Sequence, residues 1–232
     1  MNTFDATIIH FLNSFSRKSW LFDYSVSFIA DNTFIRAGLI TPMLVWLWFR
    51  ADDKLIETRE SVIATTFFTV VALVFVKILR FFLPFRPRPL HNPDLVFNLP
   101  FGVDSRSLFE WSSFPSDTAV FFFAMSIGLF HISRFLGSIA IFYSFVAACL
   151  TRIYLGYHYP TDILGGMIIG IIFGSITAKP QIRKSIAYFP MIWMRHHRQA
   201  FYTCFFIVFV ELTNIFDDIR QIILYINNLI SL

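Results

Sequence analysis

Apolar runs recur along this chain, separated by short polar stretches. They cover about 33–50, 61–83, 115–134 and 135–153; a fifth starts near Thr161 and a last one near residue 200. Each approaches the roughly 20 residues that a helix needs to cross a bilayer. The pattern predicts an all-α fold, a polytopic membrane helix bundle of about six transmembrane helices forming one domain over 1–232. Residues 3–31 differ. Asp5, His10, Asn13, Arg17, Lys18, Asp23 and Asp31 stand among Phe, Ile, Leu and Trp20, which is too polar for a span. They read as one or two amphipathic helices lying in the membrane interface. The fifth run carries Gly166, Gly170 and Gly174, a four-residue spacing that suits close helix packing in lipid.

Composition sharpens this picture. The 232 residues are 56% hydrophobic and 19% aromatic, and only 15% are charged, against roughly 25% for soluble domains. Mean hydropathy is +0.63. The net charge of +4 does not argue for nucleic acid, because the basic residues sit between the apolar runs. Cys149 and Cys204 both fall inside apolar runs, so neither a disulfide nor a metal cluster is expected. The opening MNTFDATIIHFLNSFSRK lacks a basic first segment and a small-residue cleavage site, so a cleaved signal peptide is not expected. No internal repeat supports a transporter built from paired halves.

Lysine and arginine counts set an orientation. Arg50, Lys54, Arg59, Arg134, Lys179, Arg183, Lys184, Arg195 and Arg198 fall on one side, which is expected to be cytoplasmic. The other side holds 84–113 and 154–160, where Arg86, Arg88 and Arg106 cluster in one loop.

That second side gathers the chemistry. Thr151-Arg152-Ile153-Tyr154-Leu155-Gly156-Tyr157-His158-Tyr159-Pro160-Thr161-Asp162 puts an arginine, a histidine and an acid at a membrane boundary. Such groups are costly there without partners or a task. Arg152 offers a planar fork of donors for phosphate oxygens. Asp162 is placed to hold one ring nitrogen of His158, leaving the other free to attack. A second cluster runs from Lys77 and Arg80 to Arg86-Pro87-Arg88-Pro89. A third, Ser112-Ser113-Phe114-Pro115-Ser116-Asp117-Thr118, opens an apolar helix whose free N–H groups, with Ser116, make an anion site. Each cluster alone has a plainer reading. The stretch from Thr151 to Asp162 can be an interfacial turn with Asp162 as a helix cap, Arg86 to Pro89 a headgroup anchor, and Ser116 a simple cap. His91 reads as a loop residue, His131 as interfacial, and His196-His197 as part of a basic segment, 179–199, that precedes the last span.

Together the three clusters resemble the membrane branch of the type 2 phosphatidic acid phosphatase and vanadium haloperoxidase superfamily. Its motifs read K-x6-R-P, P-S-G-H and S-R-x5-H-x3-D. The third matches at Arg152, His158 and Asp162, with Thr151 in place of Ser. The likeness covers about 61–177. The amphipathic start and the length look most like small bacterial undecaprenyl-diphosphate phosphatases. The resemblance implies an integral membrane lipid phosphatase of the cell (inner) membrane, with its site outside the cytoplasm. Its substrate would be a lipid phosphate or diphosphate held among membrane lipids, and no metal or other cofactor would be needed. His158 would be the nucleophile and Asp162 its orienter, while Arg152, Arg86 and Ser116 would bind phosphate.

Two departures stand out. Eight residues separate Lys77 from Arg86 where the family has six, so Lys77 and Arg80 compete for the first cation role and Arg88 is a further phosphate ligand. Thr118 occupies the position of the family's second histidine, the usual proton donor. Loss of a general acid typically costs about 10²–10⁴-fold, less where the leaving group is already a weak base. Asp117 and His91 are the candidates to replace it. A lipid-linked phosphotransferase and a non-catalytic lipid-phosphate binder stand as rival functions.

Overall fold

The computed structural model describes residues 2–214 apart from 33, 36, 37, 52 and 110. Arg36, at one end of the first expected span, and the last span beyond Asn214 lie outside the described residues. Nine α-helices and no strands occur among the described residues. They are α1 (Thr3–Asn13), α2 (Trp20–Asp31), α3 (Ile40–Phe49), α4 (Leu55–Phe82), α5 (Asp117–Ile132), α6 (Arg134–Tyr154), α7 (Pro160–Ile176), α8 (Pro180–His196) and α9 (Arg198–Thr213).

Local chemistry sets the boundaries. The Ser116 hydroxyl caps α5 by accepting from the Ala119 N–H at 3.3 Å. Pro160 and Pro180 open α7 and α8, where a missing N–H costs nothing. α6 widens into π-type turns at Ser144–Leu150. α4 and α6 are long and apolar enough to cross a membrane, and α7 with α8 qualifies only as a pair bent by 78°. α3 and α5 are apolar but only 10 and 16 residues long. The basic stretch at 179–199 is mostly helix: α8 buries Ala187, Met191 and Met194 in the main core, and its Arg183 reaches Glu57 at 2.9 Å.

The core centres on α5, whose Val120, Phe121, Phe122, Met125 and Leu129 are fully buried. α7 lies directly against it through the glycine ladder. A Cβ at Gly166 would stand 2.4 Å from the Ser116 oxygen, one at Gly170 2.7 Å from the Val120 oxygen, and one at Gly174 2.8 Å from the Ala124 oxygen. A step of four on α7 thus meets a step of four on α5, the close packing the spacing predicts. The two helix N-termini are joined as well, because the Ser116 N–H donates to the Asp162 carbonyl at 3.1 Å.

α1 and α2 cover this same end of the bundle. Their polarity is the reverse of a helix lying with its charges in water. Asp5 and Asn13 of α1 and Asp23 and Ser27 of α2 point inward and are buried. Phe4, Phe11, Trp20, Leu21, Phe22 and Phe28 face outward. The reason lies beneath them: the protein below is polar, so the apolar face is left to the outside.

Candidate active site

The turn between α6 and α7 builds the centre. Gly156 (φ +73°) reverses the chain, and a Cβ there would lie 2.6 Å from the Phe97 ring. The N–H groups of Tyr157 and His158 both donate to the Arg152 carbonyl, at 2.9 and 3.3 Å. His158 is therefore held by backbone rather than carried on a free loop, and it is 3% exposed. Its Nδ1 lies 2.9 Å from the Ser113 carbonyl and 3.7 Å from Asp162 Oδ2. Both neighbours are acceptors, which assigns the proton to Nδ1 and leaves Nε2 with its lone pair. Nε2 faces Arg88 Nη1 at 3.5 Å. Burial pushes the imidazole below its ordinary value, against the upward pull of Asp162, so the neutral ring is the favoured form.

Arg88 lies against it, and Arg80 and Arg152 lie farther out. Arg88, 4% exposed, donates to the carbonyls of Tyr157 at 2.6 Å and Trp111 at 3.2 Å. Burial lowers its guanidinium to about 10, which still leaves it charged at neutral pH. It feels the charges of Asp117, Arg80, Arg152 and Asp162, so these groups share one electrostatic neighbourhood. Arg80 donates to the Pro115 carbonyl at 2.6 Å and pairs with Asp117 at 3.4 Å. Arg152 donates to the Ala30 carbonyl at 3.1 Å, and its guanidinium sits 5.1 Å over the Tyr157 ring. Among the described residues, three buried polar atoms here have no partner: Arg80 Nε, Arg152 Nε and Ser113 Oγ. Unmet buried donors are rare, and near a histidine whose Nε2 keeps its lone pair they are what an anion would satisfy.

The remaining expected residues divide. Ser116 lies fully buried at the α5 N-terminus, beside the site. Thr118 is buried one residue past Asp117, and its N–H donates to Asp117 Oδ1 at 2.9 Å. Lys77 is exposed on α4, whereas Arg80, three residues on, reaches the site. His91 turns to the Ser107 carbonyl at 2.9 Å and the edge of the Phe109 ring. Arg86 does not join the cluster at His158. Its Nη1 donates to Asp162 Oδ1 at 2.5 Å and to Thr161 Oγ1 at 2.9 Å, and its Nη2 donates to Asp5 Oδ2 at 2.8 Å.

Asp5 was not foreseen from the sequence, nor were the parts played by Ser113 and Thr161. For Asp5 a signal exists. Asp5, Ile9 and Asn13 repeat every four residues, so an acid shares the buried stripe of α1 with an isoleucine. Among the described residues no three His, Cys, Asp or Glu side chains group as metal ligands; positive charge here is supplied by arginine.

The sequence profile of the PAP2 superfamily matches residues 61–186. Undecaprenyl-diphosphatase BcrC of Bacillus subtilis (strain 168) is 25% identical over 163 residues, 70% of this chain and 77% of its own length. Putative undecaprenyl-diphosphatase YbjG of Escherichia coli (strain K12) is 29% identical over 162 residues, 69% of this chain and 73% of its own length. No solved structure matches the chain.

Proposed function

The chain belongs to the PAP2 superfamily, and from that premise we propose that it is an integral membrane lipid phosphatase acting on a polyprenyl diphosphate or a similar lipid. The observation that carries the reading is His158 itself. Its Nδ1 is engaged, its Nε2 keeps a lone pair turned toward Arg88, and the buried Arg88 and Arg152 stand with the partly exposed Arg80 in the same charged neighbourhood.

In this reading Arg80, Arg88 and Arg152 hold the terminal phosphate, with Ser116 and the α5 N-terminus beneath it. Nε2 of His158 attacks phosphorus. The P–N bond forms as the P–O bond to the lipid phosphate breaks, and the leaving oxygen takes the electron pair. The charge that develops on the imidazole is met by Asp162. Water then attacks the phosphohistidine, the P–N pair returns to Nε2, and orthophosphate leaves. A lipid phosphate is a weakly basic leaving group, so the first step proceeds without the proton donor that Thr118 cannot be. The charge that a metal would supply comes from guanidinium groups, so chelators should leave the rate unchanged.

The same reading makes six passages across the membrane: α3 with the residues before it, α4, α5, α6, α7, and the chain from Arg198. The site then faces outside the cytoplasm. In a Cys204→Ser background, Asp94→Cys should react with an impermeant thiol reagent in intact cells and Lys54→Cys should not. The opposite labelling would reverse the topology.

A second reading, a non-catalytic lipid-phosphate binder, is favoured by Thr118 and by a His158 that leans to Ser113 rather than Asp162. Purified protein, assayed for phosphate release from lipid mono- and diphosphates with and without chelator, decides between them. Release from diphosphates supports the phosphatase. Binding without release supports the binder, and strict metal dependence overturns the arginine-based mechanism.

A further inference from the structure

Arg86 lies in the first-motif stretch, yet its guanidinium is taken up by two acids. Asp162 and Asp5 are both fully buried, whereas Arg86 is 29% exposed. Two buried carboxylates on one cation leave an excess negative charge, which burial makes costly. The α7 N-terminus offsets it. The Tyr159 N–H donates to Asp162 Oδ2 at 2.8 Å, and the Thr161 N–H donates to Asp5 Oδ1 at 2.9 Å. The Thr161 hydroxyl also donates to Asp5 Oδ2 at 2.7 Å. Helix N-termini favour anions through these free N–H groups and the dipole behind them. Asp5 and Asp162 therefore share one helix end and one arginine.

α1 is fixed firmly enough to present Asp5 there. Ile9 packs in a cluster with Ile153, Tyr159 and Ile163. Asn13 and Asn98 exchange two hydrogen bonds, at 2.8 and 2.9 Å, and the Arg17 side chain donates to the Leu99 carbonyl at 2.8 Å.

We propose that Asp5 is a positioning residue of the phosphatase site: it neutralises Arg86, so that the charge of Asp162 is kept for the imidazole of His158. The proposal rests on the phosphatase reading above. The electrostatic logic is simple. Arg86 alone on Asp162 makes a nearly neutral pair and weakens the pull that steadies a cationic phosphohistidine. Asp5 on the far side of Arg86 cancels its charge and restores that pull. Asp5 touches neither substrate nor reacting atoms, and its effect falls on the phosphorylation step and not on phosphate capture.

The test compares Asp5→Asn, Arg86→Gln and the double variant, each purified and assayed for phosphate release from undecaprenyl diphosphate. Asp5→Asn keeps an acceptor for the Thr161 N–H and puts an NH₂ where the second oxygen stood, which can donate to the Thr161 hydroxyl but cannot accept from Arg86, so it removes the charge together with the bond to Arg86. It should lower kcat about tenfold, the effect of one pKa unit on the imidazolium, with KM within about twofold. Adding Arg86→Gln to Asp5→Asn should recover rate, because the uncompensated cation is gone. A purely structural Asp5 predicts instead that Tm falls and recovers in step with kcat across the three variants. Wild-type kcat in Asp5→Asn, or a double variant slower than Asp5→Asn alone, overturns the proposal while leaving the phosphatase reading intact. If Asp5→Asn does not fold, Asp5→Ser carries the same comparison. Wild-type protein that binds orthophosphate but releases none from any lipid overturns the phosphatase reading, and this proposal with it.

Discussion

The α5–α7 pair and the α1–α2 pair both bring polar side chains to the same end of the bundle, by different means. α5 and α7 touch backbone to backbone along the glycine ladder, and their N-termini converge where His158 sits. Their functional groups arrive in compact motifs at the helix ends. α1 and α2 instead lay single polar residues inward from the middle of otherwise apolar helices, with aromatic rings turned out. In the proposed reading the first arrangement makes the reactive centre, and the second closes it and adjusts its charge. A residue's burial does not distinguish these roles; what it touches does.

The sharpest way to break the comparison is to remove the centre. His158→Ala should abolish turnover, a loss of at least about 10⁴-fold, since no other group replaces a covalent nucleophile. The protein should still fold, because the turn is held by backbone bonds to the Arg152 carbonyl. Residual turnover near the wild-type rate would end the phosphohistidine mechanism. Thr118→His comes next. It should raise cleavage of lipid monoesters by up to about 10²–10⁴-fold and barely change diphosphate cleavage, since only an alkoxide leaving group needs the proton. Equal gains on both substrates would mean that the wild type lacks the acid for its own reaction.

These expectations track what was legible. The helical bundle, the glycine packing, and the nearness of His158 to Asp162 follow from residue spacing, because motifs and periodicities are local, whereas the Arg152 side chain turns to Ala30 and Asp31. Three things did not follow. The choice between Arg86 and Arg88 depends on Asp5, more than eighty residues away from Arg86 in sequence. The choice of Arg80 over Lys77 depends on which face of α4 meets the Pro115 carbonyl. The inward turn of the acids of α1 and α2 depends on the polar groups they meet in distant segments, which an amphipathic pattern does not specify. Sequence spacing carries short-range order; the pairing of distant charges has to be read from the packed chain.

The pH dependence adds a smaller, signed effect. Burial, the largest influence, holds His158 below the ordinary imidazole value of 6.5. The nucleophile thus stays neutral as pH falls through 6.5, and the acid limb of kcat/KM should lie below that point. Stability moves with it. Below 6.5 the unfolded chain takes up a proton that the folded His158 refuses, so folding weakens as pH drops, until the folded group titrates as well. An acid limb above 6.5 would mean that Asp162 outweighs burial in the working enzyme.

The smallest effect on rate is expected at Asp23, and it separates the two N-terminal helices from each other. Asp23 is fully buried and accepts from the Arg17 N–H at 3.0 Å, the Phe101 N–H at 2.9 Å and the Tyr154 hydroxyl. All three partners are donors, and no arginine of the site is among them. Asp23→Asn would turn one acceptor into an NH₂ group facing a donor. That leaves a buried pair unmade, at a cost of about 1–3 kcal/mol. The loss should appear as a lower Tm in detergent, while kcat stays within about twofold of wild type, since nothing links Asp23 to Asp162. Asp5→Asn should do the reverse, with more loss in rate than in Tm. Two acids on adjacent helices, both wholly buried, would then differ in whether the structure or the reaction depends on their charge. If Asp23→Asn slows turnover as much as Asp5→Asn does, the division fails, and the α1–α2 pair acts on the site as one unit through the loop at 98–101.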